Sequence, residues 1–264
     1  MQIHTDVFSP AFIKHSWANR LRSWLAKFLL PKADHLRVVS KRIKLSLSEK
    51  LQQRATILPI FVSSSFIQMF TPSFDLKKKY PQFKFIAVMI SRLEKEKNIS
   101  LAISVLKKVI KVFPKTGLII VGNGSLRKIL QRQARRLGLE ENIIFEKWTT
   151  NPITYYKTTD LFLATSDYEG YGLTLCEAIL SHCPILTTKV GIVGEVLSSN
   201  NAFLCEVGDK NCLVENLIKA QQYPNLLREF KQKAYTDYLK KMSHTEDEVL
   251  EKFKQAWSET IKKM

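Results

Sequence analysis

An α/β fold built on a doubly wound parallel sheet is predicted by three features of the sequence. From Phe83 onward, short apolar runs alternate with stretches of helical periodicity, the order expected of a parallel sheet wrapped by helices. The apolar run Leu161 to Ala164 leads into a glycine-flanked turn, Ser166-Asp167-Tyr168-Glu169-Gly170-Tyr171-Gly172, and then into an apolar helical segment starting at Leu173. Strand, glycine turn and helix are how parallel sheets build ligand sites, because backbone without a Cβ can approach a ligand closely. Finally, 264 residues with 45% apolar content suffice for one large core with a smaller unit beside it.

The elements follow in order. Phe85 to Ile90 reads as a buried strand, and Asn98 as the cap of a helix whose Ile99, Ala102, Ile103, Leu106 and Val109 share a face. Gly117 to Val121 is the next strand, and Gly122-Asn123-Gly124-Ser125 turns into a helix that stops near Gly138, a left-handed C-terminal cap. Ile143 to Phe145 is a third strand, Asn151-Pro152 opens a short helix, and Asp160 to Ala164 is a fourth strand. Pro184 to Thr188 and Ala202 to Glu206 complete the series, Asp209 caps another helix, and two helices are expected from Pro224 to the end. The expected organisation is therefore an N-terminal part over 1–70, a linker over 71–82 rich in proline and lysine, the sheet domain over 83–222, and closing helices over 223–264. Within the N-terminal part, Val38-Val39-Ser40 and Ile57 to Val62 look like strands, too few to form a doubly wound domain alone.

Charge narrows the partners. Lys and Arg number 41 against 24 Asp and Glu, a net +17, which favours nucleic acid, an acidic membrane surface or phosphorylated substrates. No recognition motif with interleaved aromatics supports nucleic acid. The excess concentrates in residues 1–60, where eleven Lys and Arg face three acids, a local +8. Trp17, Leu21, Trp24, Leu25 and Phe28 recur there at helical spacing with Arg20, Arg22 and Lys27 between them. Such a stripe is read first as core packing, since aromatic stripes usually face a protein interior, with an anionic membrane surface as the alternative. No apolar run is long enough to span a bilayer. Cys176, Cys183, Cys205 and Cys212 lack C-x-x-C spacing and no signal peptide is evident, so reduced thiols in a cytoplasmic setting are expected.

Taken in order, Arg92-Leu93 with Glu96-Lys97-Asn98, Val121-Gly122-Asn123-Gly124, Glu169-Gly170-Tyr171-Gly172 with Glu177-Ala178, then Pro184, Gly191 and Gly194-Glu195 resemble the signatures of glycosyltransferase family 4 across roughly residues 80–220. The resemblance implies a retaining enzyme of GT-B fold that moves a sugar from a nucleotide-diphosphate donor to an acceptor hydroxyl of a glycan or lipid-linked glycan. It implies Arg92 and Lys97 as a diphosphate clamp, Glu169 on the donor sugar hydroxyls, Glu177 on the nucleotide ribose, and backbone amides at Gly172, Leu173 and Thr174 facing the diphosphate. Gly122, Gly124 and Gly170 match the family's donor-side glycines, and Gln2-Ile3-His4-Thr5-Asp6 resembles the stretch whose His reaches the donor sugar. The clamp's chemistry is sound, because bond cleavage loads negative charge onto the departing diphosphate and fixed cations stabilise it. No cofactor beyond the donor is expected, and no D-x-D pair for a metal is visible.

Glu195 is open between a site role and a helix-start carboxylate. Lys147 and His182 stand where the family favours glycine. Most of the family's acceptor-side sheet has no counterpart in the sequence, so the resemblance implies an N-terminally truncated enzyme working at the inner membrane face or in the cytoplasm, or else a non-catalytic donor-binding half that needs another chain.

Overall fold

The computed structural model describes residues 1–242 and 245–261. Residues 243, 244 and 262–264, which belong to the expected closing helices, lie outside the described residues.

The chain opens with a small parallel sheet of β1 (Gln2–Ile3), β2 (Leu36–Val38) and β3 (Ala55–Ile57) in that order. The helices α1 (Pro10–His15) and α2 (Trp17–Leu29) cross from β1 to β2, and α3 (Lys41–Ser46) and α4 (Glu49–Gln53) from β2 to β3. Serines punctuate this region: the hydroxyls of Ser9, Ser16 and Ser40 accept from the backbone N–H of Phe12, Asn19 and Ile43 at 3.2, 3.1 and 3.3 Å, each starting a helix. The helices α5 (Ser64–Met69) and α6 (Leu76–Lys79) lead onward.

The larger sheet holds β4 (Phe85–Ile90), β5 (Thr116–Val121), β6 (Ile143–Glu146), β7 (Leu161–Ala164), β8 (Ile185–Thr188) and β9 (Phe203–Cys205), all parallel. Between them run α7 (Ile99–Val109), α8 (Arg127–Arg136), α9 (Pro152–Thr158) and α10 (Leu173–Leu180). After β9 come α11 (Lys210–Gln222), α12 (Pro224–Lys241) and α13 (Glu246–Ile261). The spatial order is β6-β5-β4-β7-β8-β9, so the chain builds outward from β4 to one edge and then returns to the other side of β4. The topological switch lies between β4 and β7.

Both faces of the sheet are covered, which is why its strands read as continuous apolar runs. Ile86, Val88 and Ile90 point into one core shared with α10 and the small N-terminal sheet, while Ala87 and Met89 point into the other with α7 and α11. The helix α12 spans the two, with Leu227 and Phe230 in the second core and Ala234 and Tyr238 in the first. From α13, Phe253 lies under the Arg37 guanidinium at 4.4 Å, next to the small sheet.

Several expectations require correction. The strand expected at Val38 to Ser40 sits two residues earlier, at Leu36–Val38, because Ser40 is needed as the cap of α3, and the one expected at Ile57 to Val62 is shorter and lies at Ala55–Ile57, sharing only Ile57 with the expectation. A third strand, β1, pairs Ile3 with Val38. The expected linker contains α6, capped by Asp75, and Lys77 from it pairs with Asp160 at 2.7 Å. Asn98 does not cap α7 through its side chain: it adopts a left-handed conformation with φ 45°. Cys205 and Cys212 are joined as a disulfide rather than reduced, since the end of β9 and the first turn of α11 bring their Cα atoms to 5.7 Å; Cys176 and Cys183 are free and buried. The aromatic stripe of α2 does not pack in a core, and Trp17, Trp24 and Phe28 are exposed. His182 does take the left-handed conformation that glycine would favour, with φ 52°, whereas Lys147 does not.

Candidate active site at the switch point

The carboxyl ends of β4 and β7 frame a narrow crevice lined by Ser91, Lys97, Thr165, Ser166, Glu169 and Thr174. An ion pair fills it: Lys97 Nζ donates to Glu169 Oε1 at 2.5 Å, with both side chains less than a fifth exposed. The Ser166 hydroxyl donates to the same Glu169 oxygen at 2.8 Å. On the rim, Arg92 pairs with Glu96 at 2.9 Å while its side chain stays 69% exposed. The two cations expected from the sequence thus stand at the end of β4, each held by a carboxylate.

The turn between β7 and α10 is fixed from three directions. Thr165 Oγ1 donates to the carbonyls of Lys97 and Asn98 at 3.1 and 3.0 Å. The Asn98 amide donates to Asp167 Oδ1 at 2.8 Å, and burial lifts the Asp167 carboxyl above its usual range. Asp167 N–H donates to the Glu96 carbonyl at 2.8 Å. The left-handed Asn98 is what aims its amide across the switch point. At Gly172 the chain turns with φ 86° into α10, whose first turn contains no acidic residue and no side-chain cap. The first amides of a helix have no intrahelical acceptor, so those of Leu173 and Thr174 begin an uncompensated positive end.

Gly170 joins the turn to the N-terminal part. A Cβ there would lie 1.7 Å from the His4 carbonyl oxygen, and Ser40 Oγ donates to the Gly170 carbonyl at 3.3 Å. His4 therefore reaches the site by its backbone, while its exposed ring meets Gln2 Oε1 at 3.2 Å. Gly122 and Gly124 serve close backbone approach, since a Cβ would lie 1.9 Å from Ser91 O and 2.4 Å from Leu93 O respectively. The loop they form is fastened by Glu94, which accepts from Ser125 N–H at 2.8 Å and from its hydroxyl at 2.6 Å; these bonds hold the Glu94 carboxyl below its usual range.

Glu177, one turn into α10, accepts from the Tyr156 hydroxyl at 3.2 Å and borders a cleft of about 210 Å³ with Thr150, Asn151 and Ile153. Burial raises its pKa, and burial together with that carboxylate raises Tyr156 well above the ordinary phenol value. Glu195 does not face the crevice: its Oε1 accepts from Lys41 N–H at 2.7 Å and Arg42 N–H at 3.3 Å, capping α3 from across the fold.

Four residues at the site were given no role in the sequence reading, although two of them, Ser166 and Glu96, stand inside its motifs. Ser91 Oγ is buried without a hydrogen-bond partner and lines the crevice. Its signal was its place, directly before Arg92 at the end of an apolar run. Ser166 could have been found as the hydroxyl opening the glutamate turn. Glu96, 9% exposed, holds Arg92, and His15 lies 3.7 Å from Glu96 with its ring 5.5 Å from Tyr168. No local pattern links His15 to a turn far along the chain.

Comparison with known proteins finds relatives in both sequence and fold. Over 196 residues the chain is 28% identical to a poly(ribitol-phosphate) alpha-N-acetylglucosaminyltransferase of Staphylococcus aureus, covering 74% of this chain and 38% of the relative. It is 27% identical over 157 residues to a poly(glycerol-phosphate) alpha-glucosyltransferase of Bacillus subtilis, covering 59% of this chain and 23% of that protein. The chain thus spans well under half the length of these relatives. In fold it matches S. aureus TarM, solved with UDP, at a TM-score of 0.78 and 23% identity over 97% of this chain and 50% of that one. It also matches Anabaena HepE, solved with UDP and glucose, at 0.83 and 19% identity over 98% and 71%. Both matches place the architecture among GT-B structures. The family model for glycosyl transferases group 1 matches residues 73–237, which takes in both cations, the glutamate turn and the whole six-stranded sheet, and the chain belongs to that family.

Proposed function

We propose that the chain carries the donor site of a retaining family 4 glycosyltransferase that moves a sugar from a UDP-sugar to an acceptor hydroxyl on a glycan or lipid-linked glycan, at the cytoplasmic side of a membrane. The observation that carries this reading is the Lys97–Glu169 pair at the switch point, beside the unpartnered Ser91 hydroxyl and the acid-free start of α10. A diphosphate entering there exchanges partners. It takes Lys97 from Glu169 and gains the Leu173 and Thr174 amides, while the freed Glu169 accepts from donor sugar hydroxyls. Arg92 swings from Glu96 to the outer phosphate. As the sugar–oxygen bond breaks, the charge gathering on the departing diphosphate meets two cations and a helix N-terminus already in position, so no metal is required for it. Glu177 takes the ribose hydroxyls beside its cleft, and the His4 ring, released from Gln2, reaches the sugar. UDP is the favoured nucleotide because the TarM and HepE structures both contain it. Retention of anomeric configuration follows from the family resemblance.

The test is Lys97→Ala and Arg92→Ala, with UDP-sugar affinity by calorimetry and sugar transfer by product analysis. Loss of one such charge-stabilising group lowers turnover by about 10²- to 10³-fold; the larger loss belongs to Lys97, the more buried of the two. A double variant with unchanged donor affinity would remove the reading.

A further inference from the structure

Glu96 stands between two basic groups. Its Oε1 accepts from Arg92 at 2.9 Å, and its Oε2 lies 3.7 Å from Nε2 of His15, which α1 brings over from the N-terminal part. The His15 and Glu96 side chains are 17% and 12% exposed, whereas that of Arg92 is 69% exposed and already in contact with water. The His15 ring is held edge-to-face against Tyr168 at 5.5 Å, and Phe12, earlier in α1, meets the same tyrosine at 5.4 Å. At 3.7 Å a neutral imidazole makes no hydrogen bond to Glu96, while a charged one makes an ion pair with it.

Donor binding as proposed above takes Arg92 away from Glu96, and burial sets the consequence. A carboxylate left in that position without a counter-charge is strongly disfavoured, so a replacement cation is drawn to it. His15 is already at ion-pairing distance. The other charged or titratable groups facing the pair are Lys95 beside Glu96, Asp167 and Tyr168 in the glutamate turn, and Arg22, which reaches the Asn19 amide of α2 at 3.2 Å. Burial lifts the Tyr168 phenol, which keeps it neutral, and lifts the Asp167 carboxyl, which makes Asp167 the competing site for a proton. We infer that His15 is a positioning residue for the donor: it takes up a proton as the diphosphate draws Arg92 away, and the imidazolium then replaces Arg92 on Glu96. The inference rests on the donor-site reading. Imidazole suits the task because its charge changes near neutral pH; a lysine there would contest Glu96 from the start, and a glutamine could never replace the lost charge. Proton uptake on binding makes donor affinity fall as pH rises, by at most about tenfold per pH unit, across the range where the free protein has lost the proton and the complex still holds it.

The experiment is calorimetry of the full chain with UDP-glucose and with UDP-N-acetylglucosamine, whose diester phosphates do not titrate at neutral pH. Runs in buffers of different ionisation enthalpy count the protons exchanged. Uptake of up to about one proton per donor is expected for the parent and none for His15→Gln or Glu96→Gln. His15→Gln should bind more weakly than the parent at the acidic end of the range, by about tenfold for each pH unit the range spans, and equally at its alkaline end. A purely structural role would weaken binding at every pH alike. A second arm needs no donor: Arg92→Ala strips Glu96 of its partner, so the His15 ring, identified by the NMR resonance missing from His15→Gln, should keep its proton to higher pH than in the parent. Uptake that persists in His15→Gln, a loss of affinity independent of pH, or an unmoved His15 titration in Arg92→Ala would overturn the inference. Donor binding without uptake removes this inference and leaves the donor-site reading standing. No binding of either probe removes that reading, and the donor-free arm then decides the exchange between Arg92 and His15 by itself.

Discussion

The two sheets of this molecule obey the same local rules and end in different situations. In the six-stranded sheet every central strand is covered on both faces, and residues such as Ile119 and Leu163 are at most 1% exposed. In the three-stranded sheet the strands are two or three residues long, and the crossover helix α2 keeps its apolar side outside. A periodic pattern announces an element in both cases. Only covering by neighbours decides whether its apolar side is a core or a surface, and that is a property of the whole chain.

This difference is measurable by deleting comparable side chains in the two regions. Ile119→Ala, at 0% exposure between two helix layers, should cost about 3–4 kcal/mol in chemical denaturation, within the range for large-to-small changes in a packed core. Trp24→Ala should lie within about 0.5 kcal/mol of the parent, although it removes far more apolar surface. A comparable loss at Trp24 would mean that the outward face of α2 is covered in solution and that the contrast between the regions is false.

The sequence was legible where burial on two faces leaves a single solution. The strands of the larger sheet fall within a residue or two of their expected limits, and the glutamate turn, Arg92 and Lys97 lie at the switch point because the chain order of a doubly wound sheet leaves them nowhere else. Legibility failed where a contact joins distant residues. Ser40 ends β2 early because its hydroxyl starts α3, Asn98 trades capping for a bond to Asp167, and Glu195 caps α3 rather than its own segment. The Cys205–Cys212 disulfide has no motif spacing to betray it. His15, and the parts that Ser91 and Glu96 play, became visible only once β4 lay beside β7 and α1 beside the turn.

A smaller expected effect tests the seam between the regions. Gly170→Ala places a methyl group 1.7 Å from the His4 carbonyl oxygen, so the turn and the β1 segment must part. The overpacking should cost about 2 kcal/mol, measured as a fall in thermal midpoint, and UDP-sugar affinity should fall with it because the turn carries Glu169. If stability drops while donor affinity holds, the seam is structural alone and the N-terminal part does not shape the site.

The smallest effect is one of slope rather than size, and it concerns Glu177. Burial raises this carboxyl, so the folded protein holds its proton to higher pH than the unfolded chain does, where a glutamate titrates near ~4.3. Between those two values the folded state binds more protons, and stability therefore falls as pH rises through the window. Asp167, also raised by burial, slopes the same way, whereas Glu94, held low by Ser125, slopes oppositely, so the total curve cannot isolate Glu177. The difference curve can. Glu177→Gln keeps an oxygen for the Tyr156 hydroxyl and removes the titration, so its stability relative to the parent should grow as pH is raised from the unfolded glutamate value and then level off above the folded one. A flat difference curve would show that the carboxylate is as well solvated in the fold as out of it. In that case the cleft beside α10 gives a ribose no reason to displace water from it, and the nucleoside end of the proposed donor site would have to be sought elsewhere along the rim.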